Sequence, residues 1–386
     1  MTEHILGVDK TILDQRGGAF TASEITHQAP VWGEVAQLVT TQGPALSAFL
    51  TPLLARADLR IILTGAGTSA FIGDCLLPSL LKRLGRRVEA IATTDLVAAP
   101  AQYLQAAVPT LLVSFARSGS SPESVAAVAL ADQLVSQVYH LIITCNGDGL
   151  LYQHAQGQAN AYAIVLPDAT HDRAFAMTSS FTSMLLTASL VFGVIDGAGP
   201  ALAAAQQAAG DLMVGGLPLI NELVARRFKR VVYLGSNELK GLAQEAALKL
   251  LELSDGKVVA MFDTPLGFRH GPKTIIDSDT LVVLMMSNDP YTRRYDSDLL
   301  RELRADGRAG QVLALSAQDS GATDGDHLLL NHAAASSDLE LALPYIVFAQ
   351  MFAFLYSLAL EIRPDTPSMS GTVNRVVSGV NIYPFG

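Results

Sequence analysis

The chain has 386 residues, enough for two domains of ordinary size, and half of them are hydrophobic. Mean hydropathy is +0.33, which points to buried parallel strands and an oligomer that hides further apolar surface. The formal net charge of −10, without a long basic run, argues against nucleic acid as a partner.

Two cysteines, Cys75 and Cys145, stand far apart in apolar surroundings and read as core residues of a reduced compartment. The start, Met1-Thr-Glu-His, has no basic region followed by an apolar stretch, so no signal peptide is expected and the location reads as cytoplasmic. Residues 341–360 carry no charge and meet the length of a membrane span. Pro344, Gln350 and two tyrosines lie inside that run, with Glu340 and Glu361 at its flanks. A helix buried on all sides at a subunit interface is the better reading, and no membrane association is expected.

An N-terminal helical segment is expected over residues 1–57. Thr21 and Glu24 fit a capping box with Phe20 and Ile25 as its staple, and breaks fall at Pro30 and Pro44. From residue 58 short apolar runs alternate with helical stretches. Residues 60–64 end in Gly65-Ala-Gly67-Thr68-Ser69. Residues 110–114 end in Arg117-Ser118-Gly119-Ser120-Ser121-Pro122, and 140–144 in Asn146-Gly147-Asp148-Gly149. Such alternation predicts an α/β fold, a doubly wound parallel sheet with helices on both faces.

The series then repeats. Residues 230–234 end in Gly235-Ser236-Asn237, 280–284 in Ser287-Asn288-Asp289-Pro290, and 311–315 in Ser316-Ala-Gln-Asp319. Gly65 and Gly235 are 170 positions apart, as are Leu111 and Leu281, so a whole domain is duplicated. The copies are expected over 58–200 and 215–364, joined through residues 197–218, with a Ser/Pro/Gly-rich tail over 365–386.

In open sheets of this kind ligands sit at the carboxyl ends of the strands. Ser121 suits an N-cap and Pro122 the first helical position, which leaves hydroxyls and N–H groups facing a helix N-terminus: an anion cradle, with Arg117 beside it. A single such loop is more often a plain cap; a second hydroxyl-rich turn at Thr68-Ser69 strengthens the cradle reading. Only the second copy carries Glu245, Lys249 and Glu252, which share one helical face. A solvated stripe is the bland account; proton transfer in a crevice is the other. His270 lies in Phe268-Arg269-His270-Gly271-Pro272-Lys273, where a loop histidine is most often solvent-exposed and idle. The other histidines show no ligand spacing and no metal motif.

The Gly-Thr-Ser and Ser-Gly-x-Ser turns resemble those of sugar-isomerase (SIS) domains. Glu245-Ala-Ala-Leu-Lys249-Leu-Leu-Glu252 followed by His270-Gly271-Pro272 resembles the isomerase half of glucosamine-6-phosphate synthase. Ser114-Phe-Ala-Arg-Ser-Gly-Ser-Ser-Pro-Glu-Ser124 and Gly371-Thr-Val-Asn-Arg-Val-Val377 are similar to the AgaS branch, the tagatose-6-phosphate ketose/aldose isomerases and galactosamine-6-phosphate deaminase/isomerases. The resemblance spans roughly residues 30 to 386 and implies two tandem flavodoxin-like SIS domains.

The resemblance also implies roles. Ser118 and Ser121 would bind phosphate with Ser120 and Arg117 assisting, and Thr68 and Ser69 would hold phosphate and sugar hydroxyls. Glu252 would move the proton between C2 and C1, His270 of a neighbouring subunit would open the ring, and Glu245 and Lys249 would orient base and substrate. Thr178 would line the pocket. The synthase has a serine at the position of Ala116 and a functional lysine near its C-terminus, whereas no lysine follows Lys273 here. Arg375 is the nearest substitute, although arginine neither forms a Schiff base nor loses its proton.

The expectation is deamination of galactosamine 6-phosphate to tagatose 6-phosphate by a homo-oligomer with shared sites, without metal or organic cofactor. The alternatives are simple aldose–ketose isomerisation and a non-catalytic sugar-phosphate sensor.

Overall fold

The computed structural model describes residues 3–319, 321–377 and 379–386. The chain divides into two compact units. One holds 31–172, 179–197 and 373–386 and is called the leading unit; the other, the trailing unit, holds 1–30, 173–178 and 198–372.

Helix α1 (Ala19–Thr26) starts from Gly18, so the expected capping box does not form. Tertiary partners take its members instead. The Thr21 hydroxyl donates to Asp365 Oδ1 at 2.7 Å, and the Glu24 carboxylate accepts from the Arg173 N–H at 2.5 Å. Phe20 is exposed under the Arg173 guanidinium, so no staple forms either. Helix α2 (Gln28–Leu54) is also unbroken. Pro30 falls in its first turn, where a missing N–H costs nothing, and the helix continues through Pro44 and Pro52.

The leading unit is built on five parallel strands: β1 (Arg60–Thr64), β2 (Val88–Ala90), β3 (Thr110–Ala116), β4 (Val138–Thr144) and β5 (Ala161–Val165). Their order is β2-β1-β3-β4-β5. β1 and β3 are buried along their whole length, as expected of strands covered by helices on both faces. Helices α3 (Thr68–Leu84), α4 (Pro122–Leu134) and α5 (Ser179–Val191) belong to this unit.

The segment expected as a joining stretch is largely helical, as α6 (Pro200–Gly215) and α7 (Leu217–Ala225), both in the trailing unit. The trailing sheet contains β6 (Arg230–Gly235), β7 (Val259–Asp263), β8 (Thr280–Met285), β9 (Gln311–Ser316) and β10 (His327–Leu329) in the order β7-β6-β8-β9-β10. The two orders are the same, and so is the central register. Ile61 pairs with Leu111 and Val231 with Leu281, each residue 170 positions beyond its counterpart. Even the sharp turn after the first strand repeats. Gly67 (φ 55°, ψ −127°) and Asn237 (φ 50°, ψ −119°) cap their helices in the same rare conformation.

Helices α8 (Glu238–Leu253), α9 (Thr292–Asp306) and α10 (Asp338–Ala359) complete the trailing unit. α10 is the one described helix long and apolar enough to cross a membrane unaided, yet it is buried throughout. Ser337 and Glu340 form a reciprocal capping box at its start. Two of its buried polar side chains are met inside the unit: Gln28 Nε2 donates to Gln350 Oε1 at 2.6 Å, and the Tyr356 hydroxyl to the Phe228 carbonyl at 2.7 Å. Both cysteines are buried thiols, and burial pushes Cys145 up to about 12.

Candidate active site

In a sheet ordered 2-1-3-4-5 the crevice opens where neighbouring connections leave in opposite directions, between the first and third strands. In the leading unit those strand ends carry the two hydroxyl-rich turns. Thr68 and Ser69 form the first turn of α3 and are 4% and 5% exposed. Arg117 is buried, and Ser118, Ser120 and Ser121 are half-buried.

Ser121 is the N-cap residue of α4 with Pro122 at the first helical position, as the motif predicts. Its hydroxyl does not cap the helix; it donates to Ser124 Oγ at 2.7 Å. The N–H groups of Gly119 and Ser121 make no hydrogen bond among the described residues. The α4 N-terminus therefore presents N–H donors and serine hydroxyls together, the arrangement that binds a phosphate dianion.

The β4 turn fixes this loop from below. Asn146 Nδ2 donates to the Ser118 carbonyl at 2.9 Å, Leu150 N–H to Ser120 Oγ at 3.1 Å and Leu151 N–H to the Gly119 carbonyl at 2.9 Å. Gly149 is required there, because a Cβ would lie 2.7 Å from the Ser118 oxygen and 2.9 Å from Gly119 Cα. Sequence reasoning marked this turn only as a strand terminus; Asn146 and Gly149 position the cradle.

Arg117 reaches the C-terminal tail. Its Nη2 donates to the Arg375 carbonyl at 2.7 Å, and Arg375 Nε donates to the Asp172 carbonyl at 3.1 Å. The Asp172 carboxylate in turn receives the Ser179 and Ser180 N–H groups at the start of α5. Burial, reinforced by Arg375 and Arg117 against the opposing pull of Asp172 and Asp168, holds His171 below the usual imidazole range. Thr178 is wholly buried in the trailing unit, with its carbonyl 3.4 Å from Gln350 Nε2.

The trailing unit is built differently at the equivalent strand ends. The Ser287 N–H and the Ser236 hydroxyl both donate to Asp296, at 2.9 and 2.7 Å. Asn288 N–H and Ser287 Oγ donate to Asp338, at 2.6 and 2.5 Å. The β8 loop thus has its donors occupied by the chain's own carboxylates. Burial pushes Asp296 up to about 6, more than its two hydrogen bonds pull it down. The buried Arg293 guanidinium donates to the Ser287 carbonyl at 2.8 Å beside them.

The charged line of this unit lies on α8, and it is not a surface stripe. Glu245 and Lys249 are wholly buried, and Lys249 Nζ lies 3.4 Å from Glu245 Oε1 and 2.5 Å from Glu252 Oε2. Of the three side chains only Glu252 reaches solvent, at 22% exposure. A buried ammonium between two carboxylates is a costly arrangement that surface stability does not call for. His270 is exposed, and its ring makes no hydrogen bond or ion pair among the described residues; its N–H donates to the Gly267 carbonyl at 2.9 Å.

Comparison with known proteins adds the lineage. The model of the SIS domain matches residues 53–193 and again 226–360. The chain belongs to the SIS-domain family. A relative from Shewanella sp. (strain ANA-3) named D-galactosamine-6-phosphate deaminase AgaS is 47% identical, over 97% of this chain and 94% of its own length. The Escherichia coli protein of the same name is 48% identical, over 95% and 96%. Among solved structures, the Escherichia coli tagatose-6-phosphate ketose/aldose isomerase superposes with a TM-score of 0.87 at 44% identity, covering 96% of this chain and 98% of that one. The C-terminal domain of the Francisella tularensis glucosamine-fructose-6-phosphate aminotransferase has the same fold, with a TM-score of 0.73 at 17% identity over 90% and 98%. The SIS pair and the AgaS likeness stated from the motifs are both found.

Proposed function

We propose that the chain is an enzyme converting galactosamine 6-phosphate and water to tagatose 6-phosphate and ammonia. The observation that carries the catalytic part is the α8 triad, in which the buried Lys249 holds Glu252 as the only member open to solvent. The substrate is taken from the end-to-end relatives named for that reaction.

Each role follows from local chemistry. Ser118 and Ser121, with Ser120 and Arg117, hold the phosphate, and Thr68 and Ser69 hold phosphate and sugar hydroxyls, so binding energy orients the reacting carbons. His270 of a neighbouring copy opens the ring by protonating its oxygen. Glu252 removes the C2 proton and returns it to C1, which leaves a ketimine at C2; water adds to it and ammonia departs. Lys249 and Glu245 keep Glu252 in position, Thr178 lines the pocket, and Arg375 takes the tail position that a lysine fills in the synthase. The enzyme works as a cytoplasmic homo-oligomer in this reading.

The test is ammonia release from galactosamine 6-phosphate and glucosamine 6-phosphate, measured together with ketose formation. Equal ammonia and ketose from galactosamine 6-phosphate is the expected result. Ketose formed from an unaminated hexose phosphate, with no ammonia from either amino sugar, would replace this reading with aldose–ketose isomerisation. The Escherichia coli structure named for that activity favours this second reading. Tight binding of these sugars without turnover would point to a sensor.

A further inference from the structure

Apart from the cradle, the leading unit gathers three metal-ligating side chains from three separate elements. Asp132 lies near the end of α4, His140 in β4 and His154 in the short helix Leu150–Ala155. Asp132 Oδ1 is 2.8 Å from His140 Nε2, and its Oδ2 is 3.3 Å from His154 Nε2. The two rings meet edge to face with centroids 5.4 Å apart, and one ligand atom from each residue lies within 4.8 Å of the others.

Two imidazoles and a carboxylate are a ligand set that zinc-class ions take when a fourth position stays with water. Ligands at about 2.0–2.2 Å from an ion stand roughly 3–3.5 Å from one another in tetrahedral geometry, so only small side-chain shifts are needed. The buried His140 ring fixes one corner, whereas the Asp132 and His154 side chains are 35% and 33% exposed and can adjust around an entering ion.

One feature limits affinity. His140 Nδ1 is buried and has no hydrogen-bond partner among the described residues. A metal on Nε2 moves the ring proton to Nδ1, where no acceptor supports it, and loss of such support typically costs ten- to a hundred-fold in affinity.

We propose that Asp132, His140 and His154 form a three-ligand site of modest affinity for a zinc-class divalent ion. Such an ion would tie α4 and β4 to the helix that leaves the Asn146–Gly149 turn, whose bonds hold the Ser118 loop.

The test is a Co(II) titration of the metal-free, tag-free full chain, followed by visible absorption and back-displacement with Zn(II). One Co(II) per chain with intense four-coordinate bands, lost on adding Zn(II), is expected. Asp132→Asn and His154→Gln, both at accessible side chains, should each weaken binding at least about a hundred-fold while circular dichroism of the metal-free protein stays unchanged. His140→Gln is a poorer probe because the ring is buried in the sheet. Absence of the bands in the wild type, or bands that survive unchanged in both accessible variants, would overturn the site.

Discussion

Lys249 Nζ lies 2.5 Å from Glu252 Oε2, one turn along α8, and the lysine is wholly buried while the carboxylate keeps contact with solvent. The lysine's other neighbour, Glu245, is as deeply buried as the lysine itself. This ordering separates the jobs of three charges that look alike in the sequence. Of the three, only Glu252 is open to solvent, which is why the proposed mechanism gives it the contact with substrate and has Lys249 and Glu245 act through it.

Replacing Glu252 by Gln keeps the shape of the site and removes the base. Turnover should fall by about 10²–10⁴-fold, the usual contribution of a positioned general base, with substrate affinity altered only a few-fold. Steady-state kinetics beside equilibrium binding of the substrate checks this. Unchanged kcat would remove Glu252 from the mechanism.

Lys249→Met tests the other side of the pair. It leaves the buried Glu245 carboxyl without the Lys249 ammonium, a change that costs about 3–5 kcal/mol in comparable sites. The urea midpoint should drop accordingly, and Lys249→Met/Glu245→Leu, which removes both buried charges, should recover much of the loss. A single variant as stable as the wild type would mean that the buried charge is relieved by some other means.

In the cradle the expected signature is in binding. In the proposed mechanism the Ser118 hydroxyl serves only the non-reacting phosphate, so for Ser118→Ala KM should rise by about ten- to a hundred-fold, the worth of a hydrogen bond to a charged group, with kcat nearly kept. Gly149→Ala should give a similar loss indirectly, because its Cβ would collide with the Ser118 carbonyl that Asn146 holds. A fall in kcat alone for Ser118→Ala would place this serine among the reacting groups instead.

The parts of the fold that were legible in the sequence are those whose physics is local. Buried central strands such as residues 60–64 and 230–235 read as short apolar runs, and their 170-residue spacing reappears as an identical register. The edge strands β2, β5, β7 and β10 are not marked by the sequence, because they are short or only partly buried and carry no clean pattern. The same division holds in the sites. Ser121-Pro122 announces a helix start on its own, whereas Asn146, Asp172 and Asp296 act across strands or loops distant in the chain. Thr21 and Glu24 misled for the complementary reason: a valid local cap lost to tertiary partners at Asp365 and Arg173.

Asp296 offers a prediction in pH. Its carboxyl is buried and pushed up to about 6 from 3.8, with Asp338 raised beside it, chiefly by burial. A group whose folded value exceeds its unfolded one adds stability that is fully present below the unfolded value and is lost as pH rises through the folded value. Asp296 should therefore contribute up to about 3 kcal/mol near pH 4, declining through pH 6 and absent by pH 8. Thermal melts of the wild type and Asp296→Asn across pH 4–8 isolate it, since every other carboxylate is common to both. The wild type should lose ground relative to the variant as pH rises through 6. Parallel curves would show that Asp296 titrates at an ordinary value, and that its burial is balanced by the Arg293 guanidinium more fully than the geometry of the β8 loop suggests.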